Sequence, residues 1–262
     1  MLKKELTDQI EQIVCNAGSL IEDVHGVTEL KSKDGHSNFV TKYDSRVQSY
    51  LIEHFRRILP EADYLGEEDG YSDAGKMDGY TFIIDPIDGT TNFICGFMLS
   101  AISVALAYRG EVLYGIVYNP FRHELFTGEK GKGAFLNHEP LHMLDHALED
   151  GVTHFGGAPY YPEMRERVGA MQNAVAMHTM DLRELGAASI GLCYVACNRC
   201  VAYASPILCT WDYAAASVIL TEAGGIISDF AGNPLQLRNK VSVLAGTKTA
   251  YPEILEIIAN VK

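Results

Sequence analysis

Long apolar runs are missing from this 262-residue chain. None approaches the ~20 residues a helix needs to cross a bilayer. A signal-peptide core is missing too, since the opening MLKKELTDQIEQIV carries charge throughout; the expected location is the cytoplasm. Positive charge is scarce: Lys and Arg number 21 against 34 Asp and Glu, a formal net charge of −13. Without a Lys/Arg stripe such a surface repels nucleic acid and anionic membrane, and neither is an expected partner. An anionic substrate is still compatible, because bound cations reverse the sign locally. The six cysteines (Cys15, Cys95, Cys193, Cys197, Cys200 and Cys209) read as free, mostly buried thiols of a reducing compartment. Internal repeats, low-complexity tracts and long linkers are also absent. What remains, 47% apolar and 21% charged, is the composition of a globule that buries a sizeable core unaided.

Periodicity supplies the elements. Leu2, Leu6, Ile10, Ile13, Ala17, Leu20 and Val24 form one apolar stripe and predict a long first helix. After a polar segment with a turn at Asp34-Gly35, Val47, Leu51, Phe55 and Ile58 predict a second helix, stopped by Pro60. Thr81–Asp85 reads as a buried strand. Ala101–Tyr108 and Glu111–Tyr118 read as a hairpin turning at Arg109-Gly110, followed by a strand over His123–Thr127 and a glycine-rich turn over Gly128–Gly133. Beyond about residue 145 helices and strands alternate: helix over 187–198, strand over 200–204, helix over 212–223, strands over 226–229 and 241–245, and a terminal helix over 251–261. The expectation is one α/β catalytic unit of two packed halves, about 1–145 and about 146–262.

Four segments carry chemistry. Asp85-Pro86-Ile87-Asp88-Gly89-Thr90-Thr91-Asn92-Phe93 sets two carboxylates three apart after a strand, followed by a Gly-Thr pair where a helix can begin. Carboxylates suit Mg²⁺, which takes few protein ligands and completes its shell with water and substrate oxygens. Outward N–H groups at a helix start bind phosphate. The others are Gly66-Glu67-Glu68-Asp69-Gly70, Trp211-Asp212 with Thr221-Glu222-Ala223-Gly224-Gly225, and Asn38-Phe39-Val40-Thr41-Lys42-Tyr43-Asp44. Singly each has a plainer reading: a turn, a solvated acidic loop, or a helix N-cap at Asp212.

Together, in this order and spacing, GEED at 66–69, DPIDGTTNF at 85–93 and WD with TEAGG at 211–225 resemble the inositol monophosphatase family, Mg²⁺-dependent, lithium-sensitive sugar phosphatases; NFVTKYD at 38–44 resembles its N-terminal segment. The resemblance implies a layered αβαβα sandwich of the sugar-phosphatase type, assembled as a homodimer. It implies two or three Mg²⁺ ions. Glu67, Asp85 and the Ile87 backbone carbonyl would hold the first, and Asp85, Asp88 and Asp212 the second. A third would lean on Glu67. Thr90 with Glu67 would orient the attacking water, Asp44 would bond to Thr90, and Glu68 would support. The N–H groups of Gly89 and Thr90 would hold phosphate oxygens next to Asp88, and the backbone of Gly186, Ala187 and Ala188 would touch substrate.

Two carboxylates ~4 Å apart repel by ~4 kcal/mol at an effective dielectric near 20. Four converge only if cations join them or some take up protons. The expected reaction is therefore direct in-line attack of metal-activated water on a phosphomonoester of a small sugar or polyol, without a side-chain nucleophile. Thr91-Asn92-Phe93 resembles the inositol branch. In RELGAAS (183–189) Ala187 stands where those enzymes carry a hydroxyl residue. Ser205 falls at their ring-binding Glu, and Gly156-Gly157 near their Ser. These departures leave fructose-1,6-bisphosphatase or NADP 2′-phosphatase activity as alternatives, and a phosphate- or metal-binding regulatory non-enzyme as a more distant one. Cys193, Cys197 and Cys200 are read as packing residues on one helix face, and Cys95 as a packing residue after the DPID motif; His138, His142 and His146 are read as a surface connection.

Overall fold

The computed structural model describes residues 2–24, 31–34, 38–68, 77–158, 161–237 and 239–261. Gly35 of the expected turn, and Asp69-Gly70 of the acidic loop, lie outside the described residues. A small hairpin, β1 (Lys31–Asp34) with β2 (Asn38–Val40), precedes helix α2 (Lys42–Ile58). Together with α1 (Lys4–Gly18), α2 covers one face of a seven-stranded sheet. In spatial order that sheet holds β3 (Asp63–Gly66), β4 (Tyr80–Asp88), β5 (Ala101–Tyr108), β6 (Glu111–Asn119), β7 (Glu124–Glu129), β8 (Gly133–Leu136) and β9 (Glu139–Pro140). A short helix, α3 (Thr90–Cys95), follows β4. The second sheet has five strands in the order β11 (Asp181–Arg183), β10 (Val152–Phe155), β12 (Ala202–Leu208), β14 (Val241–Gly246) and β13 (Ile226–Ser228). Between the sheets lie α5 (Ala188–Ala196) and α6 (Thr210–Glu222); α4 (Arg165–Ala176) and α7 (Ala250–Ala259) cover the outer face. This is the αβαβα sandwich.

Layer position explains each helix's composition. In α1 the buried residues Ile10, Ile13, Val14 and Ala17 form a single stripe, as an outer helix needs. The inner helix α6 is buried nearly all round, by Tyr213, Ala214, Ala215, Ala216, Val218, Ile219 and Leu220, because a sheet or helix meets it on every side. Small residues let it lie close. A Cβ on Gly128 would come within 2.7 Å of Ile219 Cα, and one on Gly115 would strike the Ala215 carbonyl and approach Val218 Cγ1 to 2.7 Å. Gly128 is thus a strand residue under α6, and the turn expected over 128–133 contracts to residues 130–132.

Other boundaries shift for local reasons. The first helix ends at Gly18, not Val24. The stripe continues to the buried Ile21 through tight turns, with the Leu20 and Ile21 N–H groups bonded to Ala17 and Gly18 carbonyls. The Arg109-Gly110 hairpin forms as expected, both residues at positive φ (51° and 79°), the geometry a two-residue turn requires. Cys95 is exposed rather than packed, because α3 turns Asn92 and Phe93 inward and leaves Cys95 on the outer side. The histidine segment 137–146 is turn, edge strand and coil.

Close packing of α6 gives a direct test. Gly115→Ala is expected to cost about 1–3 kcal/mol, the usual range for overpacking. Gly79→Ala, where an added Cβ meets nothing within 4 Å, is expected to be near neutral. Urea-unfolding midpoints of the two variants measure the difference.

Candidate active site

Strand β4 runs on to Asp88 rather than stopping at Asp85, and its irregularity creates the site. In a regular strand, residues three apart face opposite ways. Here Asp85 pairs with Ser103 and Asp88 with Ala101, so three steps on β4 match two on β5. The extra residue of this bulge, next to Pro86, turns both carboxylates to one side. β3 runs parallel to β4 with Gly66 opposite Ile84, and the Glu67 N–H donates to the Ile84 carbonyl (3.2 Å). Two parallel strands thereby deliver Glu67 and Asp85 side by side at their C-terminal ends.

Helix termini bring the remaining acids. Asp44 is the third residue of α2; its Oδ2 accepts from the Thr41 N–H (2.8 Å) and hydroxyl (2.6 Å), a reciprocal cap. Asp212 is the third residue of α6, not its N-cap. Cys209 holds that place, and its N–H donates to Asp212 Oδ2 at 2.7 Å. Asp88 receives the start of α5: the Ala188 N–H donates to Oδ1 (3.0 Å) and the Ser189 N–H to Oδ2 (2.8 Å). The Ile87 N–H donates to Asp85 Oδ1 (3.1 Å). The Thr90 hydroxyl lies 3.1 Å from the Ile87 carbonyl and 3.4 Å from Asp44 Oδ1.

Electrostatics tie these groups into one site. Burial first, then repulsion from Glu67, Asp88, Asp212 and Asp44, holds the Asp85 carboxyl well above the usual carboxylate range. Asp212 is raised by burial, then by Asp88 and Glu67. Asp88 is pushed up to about 6 by burial, against the lowering effect of its bonds from Ser189 and Ala188. Asp44 is raised by burial and by Glu67, offset in part by Thr41. Glu67 therefore acts on all four aspartates. Among the described residues no three His, Cys, Asp or Glu side chains already close on a common point as an ion cage. The donors are all hard oxygens, which fits Mg²⁺, an ion that shares its shell with water and substrate.

Side chains whose partners the motifs did not reveal hold this arrangement. Gln48 of α2 pairs with the Glu68 backbone, accepting from its N–H (3.1 Å) and donating to its carbonyl (3.4 Å). Asn92 donates to the Leu99 and Leu185 carbonyls (2.8 and 2.6 Å). His154, 1% exposed on β10, accepts from the Leu185 N–H at 3.2 Å. The strap 184–187 is thus gripped on both sides of Leu185. It lies against the Gly89 turn: Gly89 has φ +81°, and a Cβ there would stand 3.0 Å from both Gly186 O and Ala187 Cβ. Of the expected substrate contacts, Gly186 is exposed at this turn, Ala187 is buried, and the Ala188 N–H is committed to Asp88. Ser205 is 1% exposed beneath Gly156, with Oγ 3.4 Å from the Ile207 carbonyl.

The buried His154 titrates in a predictable direction. Burial pulls it from 6.5 to about 4, so between those values the unfolded chain binds the extra proton. Its stabilising effect is complete above 6.5 and is lost as pH falls towards 4. Asp88, raised in the fold, works the other way, so a reference variant is needed. Relative to His154→Gln, the parent is expected to lose about 2 kcal/mol of unfolding free energy between pH 7 and pH 5, read from urea titrations at both values.

The chain matches the inositol monophosphatase family over residues 2–262. It is 30% identical to inositol monophosphatase 1 of Bos taurus over 261 residues, covering 97% of this chain and 94% of that one. It is 33% identical to the Nus factor SuhB of Pseudomonas aeruginosa over 240 residues, covering 90% and 87%. Among solved structures, the extragenic suppressor protein suhB of Bartonella henselae aligns with a TM-score of 0.90 at 28% identity, covering 98% of this chain and 99% of that one. Matched nearly end to end in sequence and in fold, the chain belongs to the inositol monophosphatase family and is a phosphomonoester hydrolase.

Proposed function

We propose that this chain is a Mg²⁺-dependent hydrolase of small sugar or polyol phosphates of the inositol 1-phosphate type, its two halves, 1–145 and 146–262, forming one catalytic unit. The observation that carries the reading is the set of buried carboxylates, each pushed up by burial and by its neighbours. Glu67, Asp85 and the Ile87 carbonyl would hold one ion, Asp85, Asp88 and Asp212 a second, and Glu67 would share a third. When bound, such ions neutralise charge on the phosphoryl group and the leaving oxygen, and lower the pKa of water.

The chain's own groups then have distinct tasks. Thr90 donates its proton to Asp44 Oδ1, which leaves the Thr90 Oγ1 lone pairs to accept from the attacking water. Glu67 accepts the water's other proton, and the oxygen is left facing phosphorus. The N–H groups of Gly89 and Thr90 hold phosphoryl oxygens. Water oxygen bonds to phosphorus as the ester P–O bond breaks on the opposite side; the departing oxygen takes a proton from solvent water to give the alcohol, and the proton held by Glu67 returns to solvent. The strap 184–187 borders the alcohol. The name of the SuhB relative raises a regulatory reading; an intact set of acids in this chain favours catalysis. Exposed Phe97 and Met98, 66% and 46% accessible, offer an apolar patch for the homodimer the family resemblance implies. The cytoplasmic location and lithium sensitivity belong to the same reading.

Asp85→Asn tests the assignment. The variant is expected to lose kcat by on the order of 10³-fold or more while keeping its circular dichroism spectrum. Because it removes one repelling charge, its melting temperature without Mg²⁺ is expected to equal or exceed the parent's. Phosphate release at the parental rate would overturn the metal assignment.

A further inference from the structure

We infer that Glu184 reads the alcohol part of the substrate and selects a neutral polyol over an alcohol that bears a second phosphate. The inference rests on the phosphatase reading above and deepens it. Three observations place this carboxylate. First, Glu184 belongs to the strap whose Gly186 and Ala187 lie against the Gly89 turn. One residue, Leu185, lies between Glu184 and Gly186, so the two are at most about 7 Å apart along the chain, which keeps Glu184 close to the Gly89 turn. Second, Glu184 is exposed but fixed: its Oε1 accepts from the Gly157 N–H at 2.9 Å. Carboxylate oxygens have capacity for further bonds, so a held acid of this kind can accept from hydroxyl groups without first being ordered. Third, its charge reaches the same buried group as two of the site acids. The Tyr203 hydroxyl, bonded to Ser205, is raised by burial, then by Asp88, Asp212 and Glu184.

Among the described residues, the wall around Glu184 has little else to read with. Gly156 and Gly157 bring no side chains, and a Cβ on Gly157 would collide with the Glu184 carboxylate. Ser205 is buried under Gly156. The neighbouring cation, Arg183, is paired with Asp181 at 2.5 Å, so it is engaged on another carboxylate. Among the described residues of this wall, an incoming alcohol meets one anchored anionic acceptor and bare backbone. Vicinal hydroxyls suit that surface as donors. A second phosphate meets like charge from Glu184, while Arg183, the cation next to it in the chain, is already paired with Asp181.

The experiment measures kcat/KM with Mg²⁺ for inositol 1-phosphate, fructose 1,6-bisphosphate and p-nitrophenyl phosphate, in the parent, Glu184→Gln and Glu184→Ala. Glutamine keeps an acceptor for the Gly157 N–H, so the fold is preserved even where alanine loosens it. In Glu184→Ala the ratio of inositol 1-phosphate to p-nitrophenyl phosphate is expected to fall at least tenfold, through KM more than kcat. In both variants the bisphosphate is expected to gain at least tenfold on inositol 1-phosphate. If all three substrates fall together with their ratios held within twofold, Glu184 is only a support for the strap and the inference is overturned. A parent protein silent on all three compounds sinks the phosphatase reading, and the inference with it, a result distinct from unchanged ratios in an active enzyme.

Discussion

Mutual repulsion of buried carboxylates is the constraint around which this molecule is built. Asp44, Asp85, Asp88 and Asp212 come from three different elements, yet each feels Glu67, and burial raises all four. Burying charge is costly unless each group is bonded. The fold's answer is uniform: every one of these aspartates accepts a backbone N–H, from Thr41, Ile87, Ala188 with Ser189, and Cys209 respectively. Three of the four aspartates take these bonds from helix N-terminal regions, where unpaired N–H groups and the helix dipole favour negative charge. Helices start at the site because its acids provide the caps those starts need.

That demand explains the layered order. The two inner helices must reach the C-terminal edge of the first sheet with their N-termini forward, and they do so only by lying flat between the sheets. Hence the residues Ala214 to Ala216 of α6 and the glycines 115 and 128 beneath it. A larger side chain at either glycine would lift the helix, and with it Asp212, away from β4. Packing deep in the middle layer and charge placement at its end are therefore one problem, since helix position sets both.

Much of this was legible in the sequence because the groups involved are local. DPID, GEED, WD and NFVTKYD each carry an acid together with the turn or cap that fixes it, and short-range chemistry leaves a short-range signature. The stripe of α1 and the Arg109-Gly110 turn were equally readable. Long-range partners were not. Gln48, Asn92 and His154 act on backbone groups 20, 93 and 31 residues away, and no spacing rule announces such a pair. Gly128 misled because a glycine required for close packing looks in sequence like one required for a turn. The plainer reading of Asp212 as an N-cap is off by three positions: Cys209 holds that place, and Asp212, the third residue of the helix, completes the cap from within.

On the inference drawn above, the strap 184–187 would keep specificity and chemistry apart on one short segment. Its downstream end runs into the N–H groups that hold Asp88, and its middle is pinned through both backbone groups of Leu185 by Asn92 and His154. Those restraints act on main chain, so they fix the segment's path whatever side chain sits at 184. Glu184 adds its own bond to Gly157 at the surface, where exposure makes substitution cheap. A position that is rigid in backbone, exposed in side chain and next to the reacting group is one where recognition can change without disturbing the buried acids. The acids have no such freedom: Asp85 feels Glu67, Asp88, Asp212 and Asp44 together, so changing any of these alters its field.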